Sequence, residues 1–177
     1  YRGNLACLKK PCVGVVGTRH PDTEGLKAAY DFSYELARKG VTVVSGLALG
    51  IDASAHKGAL AFEDLEVVEN YQVLKNGATA AFLGSGIDVI YPAGNKALAG
   101  RILRTGGCIL SEYPLETPAL AFHFPERNRL ISGVSSSVVV IEALEKSGSL
   151  ITVEFALDQN RDVFFHSVAR DYAKMFK

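Results

Sequence analysis

Short apolar, mostly β-branched runs alternate along this chain with longer amphipathic stretches, the pattern of repeated strand–helix–strand units. Val13-Gly14-Val15-Val16-Gly17 reads as a buried strand. From about Thr23 to Lys39, the residues Leu26, Ala29, Tyr30, Phe32, Ser33, Leu36 and Ala37 share one side, which predicts a helix that Gly40 stops. Val41 to Ser45 is the second predicted strand and Ile51 to Phe62 the second helix. Glu63 to Asn76 is more polar and fits either a helix or a helix with a loop. Ala78 to Leu83, Cys108 to Glu112, Ser137 to Glu142 and Asp162 to Phe165 complete the strands. Helices are expected over Pro92 to Leu103, Arg127 to Gly133 and Leu150 to Gln159, with a loop from Tyr113 to Pro125. The tail from Ala169 to Lys177 reads as the start of another helix.

Strands that are apolar at every position are buried on both faces, which implies a mainly parallel sheet with helices on both sides. The fold class is therefore α/β, doubly wound. In such sheets ligands bind beyond the carboxyl ends of the strands, and the glycines cluster there. Gly17-Thr18-Arg19 follows the first strand, and Ser45-Gly46-Leu47-Ala48-Leu49-Gly50-Ile51-Asp52 the second. Gly84-Ser85-Gly86 follows the third, and Lys146-Ser147-Gly148-Ser149 the fifth. Each loop feeds a helix, so unpaired N–H groups and the positive dipole end face a common pocket suited to phosphate or carboxylate. The usual dinucleotide pattern GxGxxG is missing after the first strand, and so is the P-loop pattern, so neither ordinary NAD binding nor an ordinary NTPase is indicated.

The most polar feature is His123-Phe124-Pro125-Glu126-Arg127-Asn128-Arg129-Leu130-Ile131-Ser132. Arg127 and Arg129 have the planar fork that grips phosphate in bidentate fashion. Tyr113, Phe122 and Phe124 are candidates to stack bases or to anchor the loop to the core. Asp52 and His56 fall on one helix face, where a capping carboxylate and a satisfied core histidine are the favoured reading over an acid–base pair.

Composition constrains these readings. Of the 177 residues, 48% are hydrophobic and 21% charged, the proportions of a globular domain. No apolar run is long enough to span a bilayer, and no secretory signal is present. The three cysteines, Cys7, Cys12 and Cys108, are odd in number and lack CxxC spacing. That points away from a disulfide framework or zinc site and toward the cytoplasm. Neither a metal nor a cofactor is expected. Lys plus Arg equals Asp plus Glu at 19 each, so any nucleic-acid binding has to rest on a local cluster of cations.

Taken in order, Val16-Gly17-Thr18-Arg19, Ser45 through His56, Leu83 through Pro92, Phe124 through Ile131 and Ser147 through Thr152 resemble the DNA-processing protein A family (DprA/Smf) over nearly the whole chain. The resemblance implies an extended Rossmann domain, residues 1–177, that binds single-stranded DNA and carries out no catalysis. It also implies a role in natural transformation, loading of RecA recombinase onto the strand, and a homodimer. Carried over, Arg19, Arg127 and Arg129 match positions expected to hold phosphates. Gly17, Thr18, Ser45, Gly46, Gly84, Ser85, Gly86, Asn128, Ser147, Gly148 and Ser149 belong to the expected pocket. Glu126 stands where many relatives have lysine, which removes a cation. The chain begins at Tyr1 and ends at Lys177 without the flanking domains of many relatives, so it reads as a fragment of a longer protein.

A second reading stays open. Gly148 to Glu154 resembles part of the Pro-Gly-Gly-x-Gly-Thr-x-x-Glu motif of lysine-decarboxylase-like nucleoside phosphoribohydrolases, without its Pro-Gly-Gly. On that reading Glu142 and Glu154 are the candidate acids. A third possibility is a scaffold that binds a partner protein.

Overall fold

A computed structural model of the chain describes residues 1–70, 79–143 and 147–169, with side chains placed outside 62–70. Seven strands form one sheet: β1 (Arg2–Gly3), β2 (Cys12–Val16), β3 (Thr42–Ser45), β4 (Thr79–Phe82), β5 (Cys108–Leu110), β6 (Ser137–Val140) and β7 (Asp162–Phe165). Five helices connect them: α1 (Thr23–Arg38), α2 (Ile51–Asn70), α3 (Lys96–Arg104), α4 (His123–Val134) and α5 (Gly148–Asp158). The spatial order is β1-β5-β4-β3-β2-β6-β7, with β1 antiparallel to β5 and every other pairing parallel.

Consecutive residues of each central strand enter opposite cores, which is why the strands are apolar throughout. Val16, Val44, Ala80, Val138 and Val140 pack on the face covered by α4 and α5, together with Ile131, Val153 and Ala156. Val15, Val43, Val139 and Ile141 turn the other way, beneath Ala29, Ala37, Ala55 and Ala59 of α1 and α2. A third cluster fills the space between α2 and α3, where Leu60, Ala81, Leu98, Ile102 and Ile109 meet. Cys7, Cys12 and Cys108 all lie in the first of these cores, and the Cys7 and Cys108 sulfurs approach to 3.3 Å.

The chain leaves β2 toward β3, β4 and β5, then returns to the other side of β2 to form β6 and β7. The winding reverses between β2 and β6, and an open sheet has its crevice at that point.

Several elements differ from the sequence expectation. The second helix runs through the polar stretch to Asn70, while 71–76 lie outside the described residues. So do Ala78, at the start of the third expected strand, Lys146 of the last glycine loop, and the tail beyond Ala169. Helix α4 starts at His123, not Arg127, with Pro125 inside its first turn. Proline is tolerated there because N–H groups of the first turn have no intrahelical partner to lose. Strand β1 was not anticipated, since two exposed residues carry no periodicity. Among the described residues, no helix is long and apolar enough to cross a membrane.

Candidate nucleic-acid interface

An open crevice of about 620 Å3 lies at the carboxyl ends of β2 and β6, where the winding reverses. Of the sequence-derived candidates it gathers Gly17, Thr18, Arg19, Arg127, Asn128, Ser147, Gly148 and Ser149. His20, Asp52, Tyr91, Phe124 and Thr152 complete its polar and aromatic lining.

The loop after β2 is held down tightly. Thr18 N–H donates to the carbonyl of Glu142 at 2.7 Å, and Ile51 N–H donates to the carbonyl of Thr18 at 3.2 Å. A Cβ on Gly17 would meet Glu142 O and Ile51 Cγ1, each at 2.6 Å, so only glycine lets β2 turn this sharply against α2. Gly50 has φ +76°, and a Cβ there would press on Thr18 O at 2.5 Å. These two contacts join the β2 and β3 loops.

Arg19 is exposed, and its guanidinium carbon sits 5.1 Å from the centroid of the Phe124 ring. That separation suits a cation–π contact. Among the described residues Arg19 has no carboxylate partner. Tyr91, half-exposed, tilts against Phe124 with ring centroids 5.6 Å apart.

Arg127 is placed differently. It is only 3% exposed, and its Nη1 donates to the carbonyls of Gly46, at 2.9 Å, and of Phe82. Its Nε donates to Asn128 Oδ1 at 3.3 Å. The guanidinium thereby ties together the carboxyl ends of β3 and β4, forming the crevice floor. Burial lowers its pKa to about 10, opposed by Asp52, so it stays charged at neutral pH. Asp52 Oδ2 accepts from Gly46 N–H at 3.1 Å and Ala48 N–H at 3.4 Å, which braces the β3 loop. Burial raises the Asp52 pKa, with Arg127 pulling it back. His56 donates from Nδ1 to Thr79 Oγ1 at 2.7 Å, because the Thr79 hydroxyl already donates to Val43 O at 2.8 Å. The buried Nε2 then has no hydrogen-bond partner among the described residues, and burial, with Arg127 second, lowers the His56 pKa to about 3.

The α5 side is lined by hydroxyls. Ser147 caps α5, accepting from Ser149 N–H at 3.4 Å, and its Oγ lies 2.8 Å from Ser149 Oγ. Asn128 Nδ2 donates to Gly148 O at 3.1 Å and fixes α4 against this loop.

The remaining candidates are not brought into the crevice. Ser45 is buried and donates to Val15 O at 2.7 Å. Gly46 borders a small side slot with Arg19, Leu49 and Phe124. Gly84 lies behind Phe124, whose Cδ1 would be 2.9 Å from a Cβ there, while Ser85 donates to Val89 O at 2.7 Å. Gly86 N–H donates to Thr117 O at 2.9 Å, under the long loop. Arg129 is exposed, pairs with Glu112 and does not line the crevice. Tyr113 stacks on His123 with centroids 4.0 Å apart and donates to Glu126 Oε2 at 3.1 Å. Tyr113 therefore anchors the loop, burial pushes its pKa up to about 12, and Glu126 faces it instead of the crevice. The α1 N-terminus, expected among the convergent anion sites, is already occupied by the Asp22 side chain, which accepts from Gly25 N–H at 2.7 Å. Of the two acids considered for catalysis, Glu142 lies against α1 and Glu154 is exposed on α5; neither lines the crevice.

Sequence reasoning missed His20 and Tyr91. His20 adjoins Arg19, and Tyr91 precedes Pro92 in a stretch already matched to a family motif, so adjacency was the available signal.

A family model described as DNA recombination-mediator protein A matches residues 1–174. Protein Smf of Escherichia coli is 44% identical over 162 residues, covering 92% of this chain and 40% of that protein. The crystal structure of DNA processing protein A from Streptococcus pneumoniae superposes with TM-score 0.79 at 42% identity, over 93% of this chain and 53% of that one. The Helicobacter pylori DNA processing protein A, whose structure addresses its single-stranded DNA binding mode, superposes with TM-score 0.82 at 26% identity, over 99% and 77%. The chain thus spans about half the length, or less, of the curated relatives it matches.

Proposed function

The chain belongs to the DNA recombination-mediator protein A family, and we propose that its crevice holds the sugar–phosphate backbone of single-stranded DNA. The observation that carries this is Arg19, an exposed guanidinium lining the crevice without a carboxylate partner among the described residues, steadied by Phe124. The same crevice is lined by Ser147, Ser149 and the start of α5, which favour an anion. Arg127 supplies a fixed positive floor, while the exposed face of Tyr91 and the ring of Phe124 offer bases an apolar surface.

The division of labour differs from a three-arginine clamp. Arg19 contacts phosphate directly, Arg127 acts through the field of its buried charge, and Arg129 braces α4 against Glu112. The reading extends to the wider role the family suggests: cytoplasmic DNA processing in transformation, with RecA recombinase and a second copy of this chain as partners.

Fluorescence anisotropy with a labelled oligothymidine tests it. Binding at low salt that weakens as salt rises is expected. Arg19→Ala should weaken it about tenfold, a typical scale for losing one charge-assisted contact. Absence of binding at low salt would overturn the reading.

A further inference from the structure

Glu142 lies two residues beyond β6 and does not line the crevice, yet it holds the Arg19 loop at both ends. Its carbonyl accepts from Thr18 N–H at 2.7 Å, where the loop begins. Its carboxylate Oε2 accepts from Asp22 N–H at 3.3 Å, where the loop ends. Between these anchors lie Arg19, His20 and Pro21. The carboxylate fits there because residue 25, in the first turn of α1, is glycine. A Cβ on Gly25 would fall onto Glu142 Oε2 and meet Pro21 Cβ at 3.4 Å. Asp22 in turn accepts from Gly25 N–H at 2.7 Å, so the acids at 22 and 142 and the glycine at 25 form one interlocked corner. Burial raises the Glu142 pKa, opposed by the Asp22 N–H bond.

We infer that Glu142 is a positioning residue for strand binding: bridging from β6 to the loop after β2, it fixes the height and direction of Arg19 over the crevice. The inference rests on the single-strand reading above, and the sign of its effect is diagnostic. A carboxylate near a phosphate site repels the ligand, so simple electrostatics makes removal of Glu142 tighten binding. If Glu142 orders the loop, removal weakens it, because Arg19 then has to be ordered at the moment of binding.

The test measures oligothymidine affinity and its salt dependence for wild type, Glu142→Ala, Glu142→Gln, Gly25→Ala, Arg19→Ala and the Arg19→Ala/Glu142→Ala double variant, with thermal melting as a folding check. Glu142→Ala should weaken binding about fivefold and lower the salt slope by about one ion, as loss of Arg19 does. Glu142→Gln keeps an acceptor for Asp22 N–H without the charge and should restore wild-type affinity. Gly25→Ala breaks the same corner from the α1 side and should reproduce the loss even if Glu142→Ala folds poorly. The double variant should bind no worse than Arg19→Ala alone, since the two act through one contact. Tighter or unchanged binding by Glu142→Ala and Gly25→Ala, or fully additive losses with Arg19→Ala, overturns the inference while leaving the function intact. Failure of the wild-type protein to bind overturns both.

Discussion

Two arginines two positions apart on one helix, Arg127 and Arg129, end in opposite environments, and burial decides what each does. Arg127 is enclosed and donates to the carbonyls of Gly46 and Phe82, whereas Arg129 is about half exposed beside Glu112. Removing a buried, hydrogen-bonded charge strands its partners, here the carbonyls and Asp52, and typically costs about 3–5 kcal/mol. Arg127→Ala should therefore lower the unfolding free energy by that order, visible in urea titration. A melting profile like wild type with binding abolished would make Arg127 a direct phosphate ligand instead. Arg129→Ala should change stability by no more than about 1 kcal/mol, as exposed pairs do, and leave affinity within about twofold. His56 adds a pH dependence. Its folded pKa is about 3 against 6.5 for the free side chain, so between these values the unfolded chain takes up a proton that the folded one refuses. Stability therefore falls as pH drops through that window. Between pH 7.5 and 5.5 wild type should lose about 1.4 kcal/mol more than His56→Asn; equal losses would refute the assignment.

At the scale of elements, the sequence pattern was most informative where a single physical cause dominated. The central strands and α1 were legible because burial on both faces, or on one helical stripe, writes itself into the order of residues. The start of α4 was not, since Pro125 looks like a loop residue until it is placed in a first turn. The candidate site was legible in part. Strand-end glycines located the crevice, but which loops open into it depends on long-range packing. Phe124 covers Gly84, and the Asp22 side chain fills the N-terminus of α1; both follow from contacts between elements that local pattern does not encode. Gly58 gives a sharp test of the packing on the other sheet face. It lets α2 approach the backbone of Tyr30 on α1, and a Cβ there would collide with the Tyr30 carbonyl. Gly58→Ala, usually a gain for a helix, should instead destabilise by about 1–3 kcal/mol through overpacking. Increased stability would contradict the described α1–α2 contact.

For the molecule as a whole, the balance of 19 cationic and 19 acidic residues is the dominant constraint. A chain with no net charge exerts little overall pull on DNA from a distance, so the proposed binding rests on the local charges of the crevice. Few phosphates would then be neutralised, and the salt dependence of the proposed binding should be correspondingly shallow. The sheet suits this arrangement. The reversal of winding between β2 and β6 opens a cleft at the strand ends, and both flanking loops are tied to neighbouring elements by main-chain hydrogen bonds. In the proposed mode, the rings of Tyr91 and Phe124 lining the open crevice favour a strand whose bases are unstacked and accessible over a duplex, in which they are paired. The most direct measurement is the affinity of wild type and Arg19→Ala for single- and double-stranded oligomers across a series of salt concentrations. Backbone binding in the crevice requires preference for the single strand, a shallow salt slope of about two to three ions, and a slope lower by about one in Arg19→Ala. Equal affinity for duplex, or a slope unaffected by loss of Arg19, would contradict it.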